Sequence, residues 1–409
     1  MLVEYIKSLP VTFLNVILNL IYKSIVANRV EKDDLAIYFT IIDIFSFILF
    51  LVVGFRSSMI VSYQQLKDDK DILNILRFSL IFLALLSWSI VIPYIKHYLN
   101  INIEYEYLVL LIIVMSLSVY FNNELAMYKL FNAINSVVFL EPIFFIIWFL
   151  IVLSIFDINY FNVLIISTIL SFLSLSIFAY IKKRHFKEPP FQKILFSNEI
   201  KQFVKNTFFS TLEFIFGIVT IYLAVIFYIN DFSLEELADF QVVIKLVLFF
   251  YLTIFIFPMF RYVLPELTKL TIDKNIDKIL SIRRNFFIFG VISWSLLLII
   301  IYIFGENIII NLFGEKYINS IEKIQLLSVF LIFLFLNNFQ ILILKSSNQF
   351  LKSLIVRLIG LTIFMTTYFI LKQINLNDIN IILSLGVGYI SMFICSFIFE
   401  RKILKQLKQ

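Results

Sequence analysis

Long apolar runs alternate with short polar clusters along the whole chain. Each run holds about the 20 residues that a helix needs to cross a roughly 30 Å hydrocarbon core. The pattern therefore predicts an all-α polytopic membrane protein of about twelve transmembrane helices. The helices are expected near residues 9–29, 35–60, 75–95, 105–128, 133–154, 161–181, 206–229, 237–264, 285–304, 320–345, 353–371 and 379–400.

The composition agrees with a chain that is solvated mainly by lipid. Apolar residue types make up 61% of the 409 residues, and charged types make up only 15%. Soluble globular proteins have a smaller fraction of apolar residues and a larger fraction of charged residues. Twelve spans also leave only short connections, so the sequence has no room for a soluble catalytic domain.

Basic residues are concentrated on one side of the predicted membrane. With the N-terminus inside, 25 of the lysines and arginines fall in cytoplasmic segments and six fall in outer loops. Because lysine and arginine are disfavoured in translocated segments, this asymmetry predicts that both termini are cytoplasmic. The basic residues kept on the cytoplasmic side also account for the net charge of +6, so no nucleic-acid partner is expected.

The most basic connection divides the chain near its middle. It starts at Lys182 with KKRHFKEPPFQ, whose adjacent prolines are typical of a joint between domains. The pair Asn122-Asn123 in the fourth helix recurs as Asn337-Asn338 in the tenth. Together these features predict two related six-helix bundles. The expected divisions are an N-terminal bundle at 1–183, a cytoplasmic linker at 184–205, and a C-terminal bundle with a basic tail at 206–409.

Two lysines lie inside predicted spans at similar depth. Ionisable groups in the membrane are costly, so they usually face a bundle interior or an aqueous cavity. Lys23 and Lys245 lie roughly 9 to 12 Å below the outer surface, at about 1.5 Å per helical residue. They are candidates to bind an anionic substrate such as a phosphate. In the alternative interpretation, Lys23 forms a structural ion pair with Asp43 or extends outward to the membrane surface.

Two arginines lie near the cytoplasmic ends of their helices. Arg56 is a candidate for substrate binding or for contact with lipid headgroups. Arg261 stands between Pro258 and Pro265, which predict a kinked helix at the cytoplasmic entrance. The following segment, 267–280, spaces leucine and isoleucine between lysines, as is typical of an amphipathic helix at the membrane surface.

Buried carboxylates are the candidates for coupling to a cation gradient. Glu141 precedes Pro142, which frees backbone carbonyls, and Glu213 lies at similar depth in the seventh helix. Either carboxylate could take up H⁺, coordinate Na⁺ or pair with a cavity cation, and Asp43 belongs to the same group. Glu124 lies near a helix end, where a solvated or capping role is expected.

The residues that catalysis requires are missing from the sequence pattern. His97 and His185 stand alone in opposite loops, and Cys395 lies inside the last apolar run. No glycine-rich phosphate loop occurs. We therefore predict a transporter with no catalytic residues, no metal site and no cofactor other than a coupling H⁺ or Na⁺.

Three segments carry features of a known family. Residues 28–58 lead from an external acidic turn through the second helix to a glycine-containing turn. The stretch LFGEKY, starting at Leu312, has a Phe-Gly-acidic-x-Tyr pattern before the tenth helix, and residues 338–348 end in a short polar turn. In these features the chain resembles the polysaccharide flippases of the multidrug, oligosaccharidyl-lipid and polysaccharide exporter (MOP) superfamily.

The resemblance implies a MATE-like fold, with two six-helix bundles around a central cavity and alternating access. It also implies movement of an undecaprenyl-diphosphate-linked oligosaccharide, such as an O-antigen, capsule or exopolysaccharide repeat unit, across the bacterial inner membrane. The implied partners are this lipid-linked glycan, membrane lipid, and glycan polymerase and assembly proteins. The peptidoglycan-precursor flippases of the superfamily usually have fourteen helices, two more than are predicted here.

Two other classes of function remain open at this point. A cation-coupled multidrug or metabolite exporter of the same superfamily would have acidic rather than basic residues deep in its cavity, and both kinds occur here. A non-transport scaffold would keep its function, or even gain stability, when its buried charges are removed.

Overall fold

The protein is an all-helical, multi-pass membrane protein. Its structure is a computed structural model that describes residues 2–27, 29–30, 38, 41–42, 44–46, 48–49, 52, 54–66, 70–99, 104–155, 159–186, 190, 197–375 and 377–408. The regular structure of these residues is helical throughout, which confirms the predicted fold class. Ten of the described helices are long and apolar enough to cross a membrane, and they match the third to twelfth predicted spans. Most of the predicted second span lies outside the described residues.

The chain divides into two compact units. The N-terminal unit comprises Ile6–Thr207, and the C-terminal unit comprises Phe208–Gln409 together with Met1–Tyr5. The first six labelled helices are α1 (Leu2–Ala27), α2 (Phe55–Leu66), α3 (70–99), α4 (Tyr105–Met127), α5 (Phe131–Ile155) and α6 (Tyr160–Lys182). The other six are α7 (Asn198–Asp231), α8 (234–272), α9 (Ile276–Phe313), α10 (Ser320–Ser346), α11 (Phe350–Ile374) and α12 (Ile379–Lys408).

In the N-terminal unit, α6 packs against both α4 and α5. Hydroxyl pairs add polar contacts to this apolar interior. Tyr38 Oη and Thr168 Oγ1 are 2.7 Å apart, and Ser58 Oγ lies 2.6 Å from Thr207 Oγ1. Because lipid offers no water to satisfy buried hydroxyls, such pairs also fix which helices are neighbours.

In the C-terminal unit, α10 is the most buried span and packs against α9 and α12. Helices α11 and α12 approach each other closely where Gly388 lies against the Gly360 carbonyl oxygen. A Cβ atom at Gly388 would lie 3.1 Å from that oxygen and 3.3 Å from Phe364 Cβ. Small residues at a helix crossing allow this approach in a membrane.

The first residues of the chain also belong to the C-terminal unit. Tyr5 is fully buried, and its hydroxyl donates a 2.8 Å hydrogen bond to the Phe255 carbonyl oxygen. Its ring centroid lies 5.2 Å from that of Phe286 and 5.6 Å from that of Phe289. Tyr5 is thus held by both its ring and its hydroxyl, as is usual for a buried tyrosine.

Helix α8 departs from regular α-helical geometry at three places. Phe240–Ile244, Leu252–Ile256 and Met259–Val263 form π-helical turns. Pro258 lies between the last two turns and cannot donate a backbone hydrogen bond. The irregular helix agrees with the prolines around Arg261 in the sequence.

Helix α8 starts with a capping box at its other end. The Ser233 hydroxyl accepts a hydrogen bond from the Glu236 backbone N–H, and the Glu236 carboxylate accepts one from the Ser233 backbone N–H. The hydrogen bonds from Ser233 lower the pKa of Glu236, so its carboxylate stays ionised. A negative charge at this position stabilises the N-terminus of the helix.

The prediction of one amphipathic helix over 267–280 is wrong. Helix α8 ends at Ile272, and α9 begins at Ile276 after a tight turn. Lys274 adopts a left-handed backbone conformation with φ of 51°, and the Asn275 side chain accepts a hydrogen bond from Lys278 N. The leucine spacing therefore belongs to two helices that are separated by a capped turn.

Gly388→Leu should destabilise the protein by about 1 to 3 kcal/mol, because the new side chain meets backbone and Cβ atoms of α11. Gly217→Leu is the matched control, since a Cβ atom there meets nothing within 4 Å. The measurement is the thermal unfolding midpoint in detergent. Equal midpoints for the two variants would contradict the described packing.

Candidate functional site

A buried carboxylate in α7 lies between two cations of the C-terminal unit. Glu213 Oε2 is 2.5 Å from Lys345 Nζ on α10, and Glu213 Oε1 is 3.1 Å from Arg357 Nε on α11. The side chains of Glu213 and Lys345 are each only 4% exposed. We call Glu213, Lys345, Arg357 and Asn338 the Glu213 cluster.

The position of Lys345 follows from the end of its helix. It lies in the last turn of α10, where the helix dipole favours a cation. Lys345 Nζ is also 3.4 Å from Ser210 Oγ and 5.0 Å from the centroid of the Phe260 ring. A carboxylate, a hydroxyl and an aromatic face thus surround this ammonium group.

Arg357 binds Glu213 and Asn338 and retains further donor capacity. Its Nη2 donates a 2.7 Å hydrogen bond to Asn338 Oδ1, and its Nη1 lies 3.6 Å from Met392 Sδ. A guanidinium group has five N–H donors in a planar fork. The contacts with Glu213, Asn338 and Met392 use three of them. The side chain is 13% exposed, so it is the most accessible of the three charged groups in the cluster.

The N-terminal unit holds a second buried ion pair, between Glu124 on α4 and Lys183 just after α6. Each side chain is only 1% exposed. Glu124 Oε1 accepts a 3.3 Å hydrogen bond from Tyr120, which in turn accepts one of 3.0 Å from Arg77 Nε. The expectation that Glu124 is solvated or caps a helix is therefore wrong, because α6 covers the end of α4.

The repeated asparagine pair has the same chemistry in both units. Arg56 Nε donates a 3.0 Å hydrogen bond to Asn123 Oδ1, as Arg357 does to Asn338. In each case the second asparagine of the pair accepts from an arginine on another helix. In both units an amide oxygen thus accepts a hydrogen bond from a guanidinium N–H.

The other predicted site residues are Lys245, Arg261, Glu141, Lys23 and Asp43. Lys245 is half-buried, with its ammonium 5.5 Å from the centroid of the Tyr222 ring. Arg261 is half-buried, and its Nε atom is buried with no hydrogen-bond partner among the described residues. Glu141 is half-buried beside Pro142 on α5. The Lys23 side chain and the whole of Asp43 lie outside the described residues.

An acidic cavity of about 810 Å³ lies within the C-terminal unit. Lys323 lies among its carboxylates, forming an ion pair with Asp378 and approaching Asp239 to 3.5 Å. Five carboxylates line the cavity, from Glu236, Asp239, Glu306, Glu322 and Asp378. In the described part of the chain, no group of three or more potential ligands has the geometry to hold a metal ion.

The sequence pattern did not single out Lys183, Lys345 or Arg357, because it assigns basic residues at helix ends to cytoplasmic loops. One signal could have found Lys345. It follows Asn338 by seven residues, so both side chains lie on the same face of α10. A lysine in register with a repeated polar pair indicates an interior position.

No protein-family model and no curated protein matches the chain. Solved structures of MATE transporters do match its fold. The Vibrio cholerae MATE transporter VcmN has 12% sequence identity and a TM-score of 0.85, with 98% of this chain and 97% of that chain covered. The same transporter in the bent form gives a TM-score of 0.83 at 12% identity, with coverage of 99% and 97%.

A further match is a MOP superfamily transporter from Pyrococcus furiosus, with 15% identity and a TM-score of 0.79. This match covers 99% of the present chain and 96% of the other. It is described as having a binding pocket of reverse polarity, which suggests a different function for that protein. At these identities the likeness shows that the chain has the MATE-like fold.

Lys183→Met should lower the stability of the protein far more than Lys182→Met. The first change leaves the buried Glu124 carboxylate without its ammonium partner, which costs about 3 to 5 kcal/mol. Lys182 is exposed, so its loss should change little. Thermal unfolding midpoints in detergent provide the comparison, and equal effects would show that the Glu124 pair is not buried.

Proposed function

We propose that this protein is a flippase that moves an undecaprenyl-diphosphate-linked oligosaccharide across the bacterial inner membrane by alternating access. In this proposal both termini are cytoplasmic, and the glycan passes from the cytoplasmic to the periplasmic leaflet. The MATE-like fold supports a transport function, and the resemblance in the sequence motifs supports the lipid-linked substrate.

The observation that carries the proposal is the charge of the Glu213 cluster. Within the described residues, its single carboxylate faces two cations, so the cluster carries a net positive charge inside a membrane protein. Arg357 is the more accessible cation and has two N–H donors to spare. Arginine forms bidentate hydrogen bonds with phosphate oxygens, so a diphosphate is a suitable partner for this group.

Other cations would guide the same anionic headgroup along its path. Lys245 and Arg261 are half-buried and form no ion pair within the described part of the chain. Arg56 donates a hydrogen bond to Asn123. We assign these three residues and Lys23 to substrate binding, and we assign Asp43 and Glu141 to pairing with cations or to H⁺ or Na⁺ coupling.

The acidic cavity favours a second candidate function, a cation-coupled exporter of drugs or metabolites. Its carboxylates outnumber the single lysine among the lining residues, which suits a cationic substrate. The two candidates differ in the charge of the molecule that is moved. Transport assays with an anionic lipid-linked glycan and with an organic cation therefore distinguish them.

Arg357→Met should slow the flipping of a fluorescent undecaprenyl-diphosphate oligosaccharide in reconstituted vesicles by about ten-fold to a hundred-fold. Loss of one charge-assisted hydrogen bond costs about 1.5 to 3 kcal/mol, and about 1.4 kcal/mol corresponds to a factor of ten. The measurement is the rate at which label becomes accessible to a membrane-impermeant quencher. Lys372→Met is the control, because it breaks an ion pair with Asp231 some 22 Å along α11 from Arg357.

If wild-type vesicles flip no lipid-linked glycan but accumulate an organic cation, the exporter is the correct function. If wild type and Arg357→Met flip the glycan equally fast, Arg357 does not bind the diphosphate.

Lys23→Ala and Lys245→Ala should each impair export of surface glycan in cells that depend on this protein. Each change removes a cation from the proposed path, and a charge inside the membrane is costly, so its loss should not destabilise the fold. Surface glycan is measured by gel or lectin staining, and protein abundance by immunoblot. Normal export in both variants at normal abundance would exclude these lysines from the path.

A further inference from the structure

We propose that Lys345 is a positioning residue that keeps the positive charge of Arg357 available to an anionic ligand. This inference rests on the proposed function, because it concerns how the Glu213 cluster recognises the diphosphate. It assigns different tasks to the two cations of the cluster. Lys345 neutralises Glu213, and Arg357 contacts the ligand.

The surroundings of the two cations support this division. The Lys345 ammonium is 2.5 Å from Glu213, contacts Ser210 and Phe260, and is almost fully buried. Its donors therefore point into the protein. Arg357 lies 3.1 Å from Glu213, is more exposed than Lys345 and has unused N–H groups.

The charges of the cluster explain why the lysine matters. With Lys345 present, Glu213 and Lys345 neutralise each other, and the cluster keeps the charge of Arg357. Without Lys345, Glu213 and Arg357 form a neutral pair, and an approaching anion meets the carboxylate beside the guanidinium. In a medium of low dielectric constant this change acts strongly on the anion over several ångströms.

The same reasoning predicts that removing the carboxylate rescues the loss of the lysine. Lys345→Met changes the net charge of the cluster from +1 to 0, whereas Lys345→Met combined with Glu213→Gln restores +1. Glu213→Gln alone gives +2. Loss of both members of a purely structural ion pair can also restore stability, so the rescue is measured as diphosphate affinity of the folded protein.

The test is binding of undecaprenyl diphosphate to the purified, full-length protein in detergent, with undecaprenol as the uncharged reference. Lys345→Met should weaken diphosphate binding about ten-fold, and Lys345→Arg should bind almost as wild type does. The double variant Lys345→Met/Glu213→Gln should bind within about three-fold of wild type. Glu213→Gln should bind at least as tightly as wild type. Undecaprenol binding should not differ among the variants.

Two outcomes would overturn the inference. One is diphosphate binding by Lys345→Met that equals wild type, and the other is a double variant no better than Lys345→Met. If Lys345→Met does not fold, Glu213→Gln alone tests the inference. Weaker diphosphate binding by Glu213→Gln than by wild type would then contradict the charge argument. Lys372→Met controls for the loss of a lysine in the same unit and should bind as wild type does.

Arg357→Met separates this inference from the proposed function. If it binds the diphosphate as tightly as wild type, the cluster is not the diphosphate site, and the proposed function loses its main support. If Arg357→Met weakens binding but Lys345→Met does not, the site stands and only the role of Lys345 is wrong.

Discussion

The cost of placing a charge inside a membrane governs this structure. A carboxylate in a membrane-spanning helix has no water to solvate it, so the protein must supply the counter-charge from a neighbouring element. Glu124 receives it from Lys183 and Glu213 receives it from Lys345 and Arg357. Each carboxylate therefore determines which helices pack beside its own.

Apolar packing alone specifies neighbours weakly in such a protein. Nearly every helix surface is apolar, and lipid tails solvate those surfaces as well as another helix does. A buried ion pair adds little net stability compared with an apolar contact, yet any other arrangement of the helices would leave a lone charge in lipid. The polar clusters thus contribute to the choice of one helix arrangement, while the apolar surfaces determine membrane insertion.

The sequence predicted the spans because each one is a long apolar run, a signal that depends only on local composition. Helix ends were less predictable. The ninth span was expected at 285–304, but α9 extends over Ile276–Phe313 because its polar ends continue the helix beyond the apolar run. The helix begins after the N-cap residue Asn275 and ends at Gly314, whose φ of 92° is left-handed.

The charged clusters were only partly predictable for a different reason. Glu213 stood out because it interrupts an apolar run, whereas Lys345 and Lys183 lie at helix ends, where basic residues normally face the cytoplasm. Whether such a lysine is buried depends on the helix that packs over it. That information comes from residues more than 50 positions away, such as Glu124 for Lys183, and no local pattern contains it.

The position of Tyr5 makes the C-terminal unit discontinuous in sequence. A fragment that begins at Phe208 would lack the ring that packs on Phe286 and Phe289 and the hydroxyl that binds the Phe255 carbonyl. Such a fragment would have a gap between these aromatic rings and an irregular part of α8. During synthesis, Tyr5 therefore waits for a partner that is made some 250 residues later. Completion of this unit is coupled to completion of the whole chain.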